Sequence, residues 1–534
     1  MHQSILRLFL VLGIMSEGLF THAQTPTVGL LYWQSSSTDG YSLFSPEINK
    51  KVYLIDNCGQ KINEWNFTGV PTQTCHILPD GNLLRAGYNA IEIRDWENNV
   101  VWSYDKQAHN LKQHHDIHPL PNGNILCLVS DVYGTSQMIA QGRNPALLDN
   151  FFRLDKIVEL HPVGTNSASV VWEWKFIDHL IQDYDNTKLN YGVVADHPEL
   201  LDLNFDNDET EDFTHCNTVE YNAGLDQIMI SSRNLSEIYI IDHSTTTAQA
   251  AGHTGGNSNK GGDFLWRWGN TQVYRQGGPQ DEKLFLSHDP RWILAGSADE
   301  GKISVFNNYG DGTGKYSSVH LLVPQFENLQ YVMQDGKFLP LDFDWSWNGT
   351  ILGDTLFEPT QAGVQSLPNG NVFISQTSIG QLAEVTKDGS LVWAYKNPSG
   401  ERIYNQYETK IAGNTLFRAE QYPEEYAGFD GKDLTPKGLI EDINPISDSC
   451  DSWTGIGTKA LSSWMVVNPV EDGIIQFSRE LTAQAVVITD LSGKIMLRVA
   501  PFTGRSLRVN LKPSLYILQL FSERNVETKK ILVD

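Results

Sequence analysis

A short unit of turn residues followed by alternating apolar and polar positions recurs along the chain. It reads PDGNLLRAG at 79–87 and PNGNILCLV at 121–129, and further copies lie at 223–231, 298–306, 368–376 and 412–420. A turn rich in Asp, Asn and Gly that leads into alternating hydrophobic residues is typical of a hairpin entering a β-strand. The pattern therefore predicts a chain built mainly from such hairpins.

Apolar segments that end in Trp and a second aromatic residue follow several of these units. They are VVWSY (100–104), VVWEW (170–174), FLWRW (264–268) and LVWAY (391–395). A further strand, as in AIEIRD, EIYIID and LAEVTKDG, lies between the two, and 51–67 supplies the same pattern for a first unit. Six units of three or four strands, about 42 residues apart where no loop intervenes, predict an all-β fold with a six-bladed β-propeller. A β-sandwich or a β-helix is the alternative.

Two wide gaps interrupt the repeat, at about 130–215 and 307–365. Inserted loops of a propeller gather on one face, where they shape a ligand site. The length of 534 residues predicts a second, smaller domain beside the propeller. We expect the propeller at 24–445, a polar linker at 446–464 and a small C-terminal β-sandwich at 465–534.

The ends and the charge of the chain bear on its location and partners. Residues 1–23 have a basic residue, a short apolar run and small residues before a cleavage site, as an export signal does. No later stretch has the roughly 20 apolar residues of a membrane span, so the sequence predicts an exported, soluble protein. The net charge of −25 argues against nucleic acid or an anionic membrane as a partner. Five scattered cysteines without a CxxC pair indicate neither a zinc site nor a dense disulfide framework.

Histidines fall at or just before the turn–strand units. In a propeller, equivalent positions of successive blades converge near the central axis, so His115, His215 and His288 can meet although they are far apart in sequence. Arg233 follows the next strand after His215 and is predicted to lie over the same pocket. Such a set suits either a metal site or an anion site in which one histidine attacks. Because His114 precedes His115, the sequence leaves open which of the two faces the pocket.

The propeller region resembles the bacterial aryl-sulfate sulfotransferase family (arylsulfotransferases, ASST). The resemblance covers about 40–445 and rests on HHDIHPLPNGNIL, on DFTHCNTVEYNAGLDQIMISSRN, on the tract from FLWRWGN through SHDP to ISVFNNYGDG, and on FRAEQYPEEYAGFDGKDL. It implies transfer of a sulfuryl group from an aryl sulfate to a phenol through a sulfohistidine, without a nucleotide sulfate donor. It further implies that His288 is the nucleophile, that His215 and Arg233 hold the sulfuryl and phenolic oxygens, and that His115 is the remaining pocket histidine.

This chemistry is consistent with the residue types. A neutral imidazole attacks sulfur, a permanently charged guanidinium binds sulfuryl oxygens, and a second histidine moves the phenolic proton. Covalent transfer predicts ping-pong kinetics. The chain has no GxxxxGK[ST] or GxGxxG, so nothing marks a nucleotide-phosphate site, which agrees with a donor that is not a nucleotide. For the sulfuryl transfer we expect neither a cofactor nor a metal. The alternatives are a sulfate-ester hydrolase, a metal-dependent enzyme on the same propeller, or a non-enzymatic ligand-binding protein of the cell surface. The donor and acceptor phenols and the oligomeric state stay open.

The last segment resembles the C-terminal sorting domain of the type IX secretion system of Bacteroidetes. The similarity rests on NP at 468–469, ITDLSGK at 488–494, SLYILQL at 514–520 and KKILV at 529–533. It implies the type IX machinery as a partner, passage across the outer membrane, and then secretion or attachment at the cell surface. Whether the tail is cleaved is left open.

Overall fold

A computed structural model describes residues 25–68, 72–208, 211–293, 296–454, 470, 473–490, 494–521 and 526–533. The predicted export signal lies outside these residues. The chain divides between Ser447 and Asp448 into two compact units, and both consist mainly of antiparallel β-sheets. The all-β prediction is therefore confirmed.

Six sheets of four or five antiparallel strands make up the first unit, and we number them in chain order. Sheet 1 contains Leu416–Pro423, Gly40–Pro46, Lys51–Asp56 and Lys61–Asn66. Sheet 2 contains Thr72–Ile77, Leu83–Gly87, Ala90–Arg94 and Val100–Asp105, and sheet 3 contains Gln113–Pro119, Ile125–Gly134, Phe151–Val163 and Ser167–Lys175. Sheet 4 contains Cys216–Asn222, Gln227–Ser232, Glu237–Asp242 and Trp266–Trp268. Sheet 5 contains His288–Trp292, Ile303–Asn307, Ser318–Leu322 and Trp345–Trp347, and sheet 6 contains Gly363–Ser366, Val372–Gln376, Gln381–Val385, Leu391–Lys396 and Gly29–Trp33.

The first strand named for each sheet contacts the first strands of its two neighbours, and we call these six the inner strands. The contacts run from sheet 1 to sheet 2 and onward to sheet 6, and sheet 6 contacts sheet 1 in turn. Sheet 1 is completed by a distant segment, because its inner strand Leu416–Pro423 pairs with Gly40–Pro46. The repeat unit at 412–420 thus leads into an inner strand, whereas the other five lead into the second strand of a sheet.

The repeated tryptophans join neighbouring sheets. The indole N–H of Trp65 in sheet 1 donates to the carbonyl of Asp95 beside sheet 2, at 2.8 Å. Trp102 in sheet 2 donates to Ser167 of sheet 3 at 2.8 Å, and the indole of Trp393 closes the series from sheet 6 toward sheet 1 at 2.8 Å. A buried indole N–H needs an acceptor, so in these three sheets the tryptophan of the fourth strand links its sheet to the next one.

The remaining elements of the first unit are short. The helices are Thr135–Ala140, Thr247–Ala250 and Pro445–Thr454, and the single-turn 3₁₀ helices are Pro145–Leu147, Phe176–Asp178, Val194–Asp196, Thr271–Tyr274, Pro279–Asp281, Thr377–Ile379 and Ala427–Phe429. Strand pairs of two residues each are Leu180–Ile181 with Leu201–Asp202, Phe326–Glu327 with Gln330–Tyr331, Met333–Gln334 with Lys337–Phe338, and Thr350–Ile351 with Asp354–Thr355. Most of these elements lie in the two predicted insertions. The helix Pro445–Thr454 falls in the segment predicted as a linker and crosses the division between the units.

The second unit contains two sheets. Ile474–Ala483 pairs with Phe502–Arg508, and a four-stranded sheet has the order Ile495–Val499, Ala485–Thr489, Ser514–Phe521 and Val526–Val533. One hydrophobic cluster contains residues of both sheets, among them Phe477, Phe502, Ile488 and Leu518. Two sheets that share one core are the architecture of a small β-sandwich.

Two further findings concern the chain as a whole. Cys58 and Cys450 are disulfide-bonded, whereas Cys75, Cys127 and Cys216 have free thiols. In the described part of the chain, no helix is both long enough and apolar enough to cross a membrane.

Candidate active site

The predicted site residues lie where the inner strands depart from regular pairing. In sheet 3, Ile117 pairs with Cys127 and Gln113 with Val129, so three residues including His115 face a single partner position. In sheet 5 the register shifts directly after His288, and in sheet 4 it shifts directly after Cys216. A β-bulge changes the direction of the side chains next to it and is common beside active sites.

The backbone is strained at two of these histidines. His115 has φ = 51° and His215 has φ = 42°, in the left-handed region that residues other than glycine rarely adopt. Such strain costs on the order of 1–3 kcal/mol and persists only where the surroundings impose it. The fold therefore holds both rings in orientations that a regular strand would not give.

His288 is held in one tautomer. Its Nδ1 lies 2.8 Å from Oδ1 of Asn308 and 3.1 Å from the carbonyl oxygen of Leu286. The amide of Asn308 is itself oriented, because its Nδ2 donates to the carbonyls of Glu358 and Gln361, each at 2.9 Å. Since both partners of Nδ1 are acceptors, Nδ1 carries the hydrogen and Nε2 keeps its lone pair.

The same ring is kept neutral. His288 is 4% exposed, and burial lowers its pKa to about 3; the bond to Asn308 opposes this shift, and the charges of Arg233 and His215 reinforce it. A histidine of ordinary pKa would be partly protonated at neutral pH. His288 therefore offers an unprotonated Nε2 over the whole physiological range.

His215 and Arg233 stand beside His288. Nδ1 of His215 donates to Oδ2 of Asp212 at 2.8 Å, and the same carboxylate accepts from Nη1 of Arg153 at 3.1 Å. The backbone N–H of Arg233 donates to the carbonyl of His215 at 3.1 Å, which ties the two residues together. The site thus combines a permanent cation with a histidine that a carboxylate orients.

The structure distinguishes His115 from His114. The ring of His115 lies 5.1 Å from that of His215 and 5.8 Å from that of Phe417, between centroids. His114 instead pairs through Nε2 with Oδ1 of the fully buried Asp155 at 2.9 Å, and its Nδ1 lies 2.6 Å from Nδ1 of His115. His115 therefore faces the other site residues. His114 contacts the ring of His115 and is itself held by Asp155.

The neighbours of His115 also keep it neutral. Burial first of all holds the pKa of His115 well below its ordinary value, and the proximity of three other imidazoles, those of His114, His215 and His288, and of the Arg418 guanidinium disfavours a charge on its ring further. Asn217, two residues after His215, donates its Nδ2–H to the carbonyl of Ser287 at 2.8 Å, so the segments that carry His215 and His288 lie side by side. The structure thus gathers His115, His215, His288 and Arg233 in one place, and Arg418 joins them.

Behind the histidines lies a buried ionic cluster. Arg418 contacts Oδ2 of Asp116 at 2.6 Å and also binds the carboxylate of Asp289. Oδ2 of Asp116 accepts the N–H of Val219 in sheet 4 at 3.1 Å, and Oδ2 of Asp289 accepts that of Val364 in sheet 6 at 3.0 Å. Each aspartate follows a site histidine and joins its own inner strand to the next one.

Sequence reasoning did not single out Asn308, Asp212, Asp155 or Arg418. Asn308 and Asp212 lie in loops, Asp155 lies in the middle of a strand, and Arg418 follows Phe417 within FRAE. Only Arg418 carries a signal in the sequence, since it alone lies within a turn–strand repeat unit, 412–420. The neighbouring Cys216 is not part of the site, because it lies in a hydrophobic cluster and its thiol is fully buried.

A large cavity of the first unit lies elsewhere. It has a volume of about 900 Å³ and is lined mainly by apolar residues of the turns that follow the inner strands, such as Leu78, Pro121 and Leu225, with Trp292 and Phe326. None of the four predicted site residues lines it. His288 is the first residue of the inner strand His288–Trp292, whereas Trp292, its last residue, lines the cavity. The cavity and the histidines therefore occupy opposite ends of the inner strands.

Comparison with known proteins links this arrangement to a family. Solved structures similar to the chain include a Bacteroides caccae protein of unknown function, a streptogramin B lyase and a virginiamycin B lyase of Staphylococcus aureus. The first is 13% identical over 73% of this chain and 100% of its own, with a TM-score of 0.36. The second is 9% identical over 75% and 94%, with a TM-score of 0.35, and the third is 9% identical over 70% and 88%, with a TM-score of 0.31. Because these TM-scores are below 0.5, we infer neither fold nor function from them.

Among curated protein sequences, none matches the chain. The family model of the arylsulfotransferases (ASST) matches residues 80–398, which is more than half of the chain and includes all four predicted site residues. The chain belongs to the arylsulfotransferase (ASST) family.

Proposed function

We propose that the protein is an aryl-sulfate sulfotransferase that works by a ping-pong mechanism through a sulfohistidine at His288, and that its six sheets form a closed six-bladed propeller. The observation that carries the proposal is the hydrogen bond from Nδ1 of His288 to Asn308. It leaves an unprotonated Nε2 beside Arg233 and His215. Family membership supplies the reaction class, and the ring of contacts among inner strands supports closure of the propeller.

In the first half-reaction the lone pair on Nε2 of His288 attacks sulfur. The N–S bond forms as the bond from sulfur to the aryl oxygen breaks, and its electron pair leaves on the phenolate. Arg233 donates to the sulfuryl oxygens, and His215 transfers a proton to the phenolate. The imidazole gains positive charge as it takes up the sulfuryl group, and Asn308 accepts from its Nδ1–H throughout.

In the second half-reaction a phenol enters the same place. His215 accepts the phenolic proton, the phenolic oxygen attacks sulfur, and the N–S bond breaks with its electron pair returning to Nε2. His115, which is neutral and lies against His215, hydrogen-bonds to the sulfuryl or phenolic oxygens. Because one histidine carries the sulfuryl group between two substrates, the kinetics are ping-pong.

We further propose that the protein is exported and that residues 465–534 are a type IX sorting domain. Cys58 and Cys450 are each disulfide-bonded, which an oxidising compartment allows. The motifs SLYILQL and KKILV lie in the strands Ser514–Phe521 and Val526–Val533. The other motif residues, at 468–469 and 491–493, lie outside the described residues.

The test uses 4-nitrophenyl sulfate as donor, with and without phenol, in EDTA. We expect nitrophenol release that depends on phenol, added sulfuryl mass on the peptide that contains His288, and loss of both in His288→Asn. The matched control is His197→Asn, a histidine whose side chain is 45% exposed and pairs with Glu199. This control should leave both signals unchanged.

Other outcomes select other functions. Release that does not depend on phenol indicates a sulfate-ester hydrolase. Release that EDTA abolishes and added metal restores indicates a metal-dependent enzyme. Absence of both release and added mass in the folded protein, across several aryl sulfates, contradicts the transferase and leaves a ligand-binding protein.

A further inference from the structure

We propose that His179, His253 and Asp263 bind one divalent transition-metal ion of the zinc type, which fastens the Gly-rich loop 252–262 to the chain that follows the strand Ser167–Lys175. None of these residues belongs to the candidate active site, and the proposal does not rest on the proposed function.

The three side chains converge on one point. Nδ1 of His179 lies 2.8 Å from Oδ1 of Asp263, and Nδ1 of His253 lies 2.7 Å from the same oxygen. All three ligand atoms lie within 4.8 Å of one another. Two imidazole nitrogens and a carboxylate oxygen are a set that zinc sites use.

The hydrogen bonding of His179 calls for a cation. Its Nε2 lies 2.8 Å from the carbonyl oxygen of Ala250, which only accepts, so Nε2 carries the hydrogen. In the neutral ring Nδ1 then presents a lone pair to the carboxylate of Asp263, and two acceptors would face each other at 2.8 Å. Either a second ring proton or a metal ion resolves this contact. A ligating histidine that donates its other N–H to a backbone carbonyl is the usual arrangement in metal sites.

The ring of His179 is oriented before any ion binds. It is fully buried and stacks on Trp174 with 5.5 Å between centroids and 6° between planes. The indole N–H of Trp174 donates to the carbonyl of Gly262 at 2.7 Å, directly before Asp263. A β-carbon at Gly262 would lie 2.6 Å from Nε2 of His179, so only glycine lets the loop approach this ring.

The donor set and the exposure select the class of ion. Nitrogen donors suit zinc and the neighbouring transition metals, whereas magnesium and calcium prefer oxygen ligands. Bonds of about 2.0–2.1 Å in a tetrahedron place ligand atoms roughly 3.3 Å apart. The two nitrogen–oxygen distances to Asp263, 2.8 and 2.7 Å, must therefore widen by about half an ångström when the ion binds. The side chain of His253 is 60% exposed, which allows this movement and leaves room for water as a fourth ligand.

The test is equilibrium binding of zinc to the full-length protein after chelation and removal of the chelator. We expect one zinc per chain with a dissociation constant in the micromolar range or below, and an unfolding temperature that rises with zinc concentration. Cobalt should give the visible absorption of a four-coordinate site. In His253→Gln the affinity should fall at least tenfold, while 4-nitrophenyl sulfate turnover stays unchanged.

The matched control is His197→Gln, which removes another partly exposed histidine beside a carboxylate and should bind zinc as the wild type does. Equal zinc affinity in wild type and His253→Gln would overturn the proposal, because the bound ion would then lie elsewhere. Wild-type protein that binds no zinc below about 10 µM would also overturn it and leave the hydrogen-bonded contact between His179 and Asp263 without a metal ion. Since that measurement uses the wild type alone, it stands even where a variant fails to fold.

Discussion

The hydrogen bond between Asn308 and His288 offers the sharpest test of the proposed nucleophile. Replacing Asn308 by alanine removes the acceptor 2.8 Å from Nδ1 and leaves only the carbonyl of Leu286 at 3.1 Å. The ring then loses the partner that fixes both its tautomer and its angle. We expect the change to slow sulfuryl transfer from the donor and to leave donor binding nearly intact.

The size of the effect follows from the charge that develops on the ring. A hydrogen bond between neutral groups contributes about 0.5–1.5 kcal/mol and one to a charged group about 1.5–3 kcal/mol. As His288 becomes cationic in the transition state, its bond to Asn308 strengthens by about 1–1.5 kcal/mol, which is roughly a tenfold change in rate. Loss of ring orientation adds up to a second factor of about ten. The expected fall in kcat/KM for the donor is therefore about 10- to 100-fold.

The assay is 4-nitrophenol release under single-turnover conditions, which isolates the first half-reaction from the second. The control is Asn371→Ala, which removes another buried amide that bonds Glu384 and the carbonyl of Ser36, and which should change the rate less than twofold. A fall of less than threefold in Asn308→Ala, in protein of normal fold, would refute the claim that this bond prepares the nucleophile. A weaker apparent donor affinity without a fall in the maximal single-turnover rate would show that Asn308 acts in binding instead.

Three further predictions follow from the same contacts. Burial lowers the pKa of His288 from about 6.5 in the unfolded chain to about 3 in the folded protein. Protonation therefore favours the unfolded state below pH 6.5, and the protein loses stability as the pH falls. Wild type should lose about 3 kcal/mol more than His288→Gln between pH 7.5 and 4.5 in urea unfolding, and parallel curves would contradict this. Arg418→Met leaves the buried carboxylate of Asp116 without its cation, while Asp289 keeps Arg291, and should cost about 3–5 kcal/mol of stability; a loss below about 1 kcal/mol would contradict it. Asp212→Asn removes the carboxylate that orients His215 and should lower turnover at least tenfold, which steady-state kinetics would measure.

Much of the strand pattern was predictable because it depends on local rules. The turn PDGN at 79–82 closes through bonds between Leu78 and Asn82, with Gly81 at φ = 83°, and leads directly into Leu83–Gly87. The turn residues and the alternation of apolar positions both appear in the sequence. The Trp-ending segments likewise form the fourth strands of their sheets, as in Val100–Asp105.

The pairing of Leu416–Pro423 with Gly40–Pro46 is not local and leaves no such signal. These strands are separated by almost the whole first unit, and each reads as an ordinary strand in isolation. The repeat unit at 412–420 predicts a strand but not that it completes sheet 1. Register and partner depend on contacts that form only when the other sheets are in place.

For the site, the sequence named the histidines but not the groups that orient them. Asn308 and Asp212 reach His288 and His215 from loops whose spacing follows no repeat. The bulge that turns His115 toward His215 is a property of pairing between strands, so it separates His115 from His114 only in three dimensions. Such hydrogen-bond partners come together only in the folded protein, and no repeat in the sequence marks their positions.

The recurrent pairing of histidine and aspartate on the inner strands gives the site its rigidity. Asp116 and Asp289 each follow a site histidine, and each binds a backbone N–H of the next inner strand. The carboxylates in turn share the cation of Arg418, which comes from a third sheet. A displacement of any of these sheets would break a charge-assisted bond next to a histidine, and such bonds are roughly twice as strong as neutral ones. The positions of the histidines are therefore coupled to the packing of the sheets, and this coupling sustains the strained backbone at His115 that a single strand could not hold.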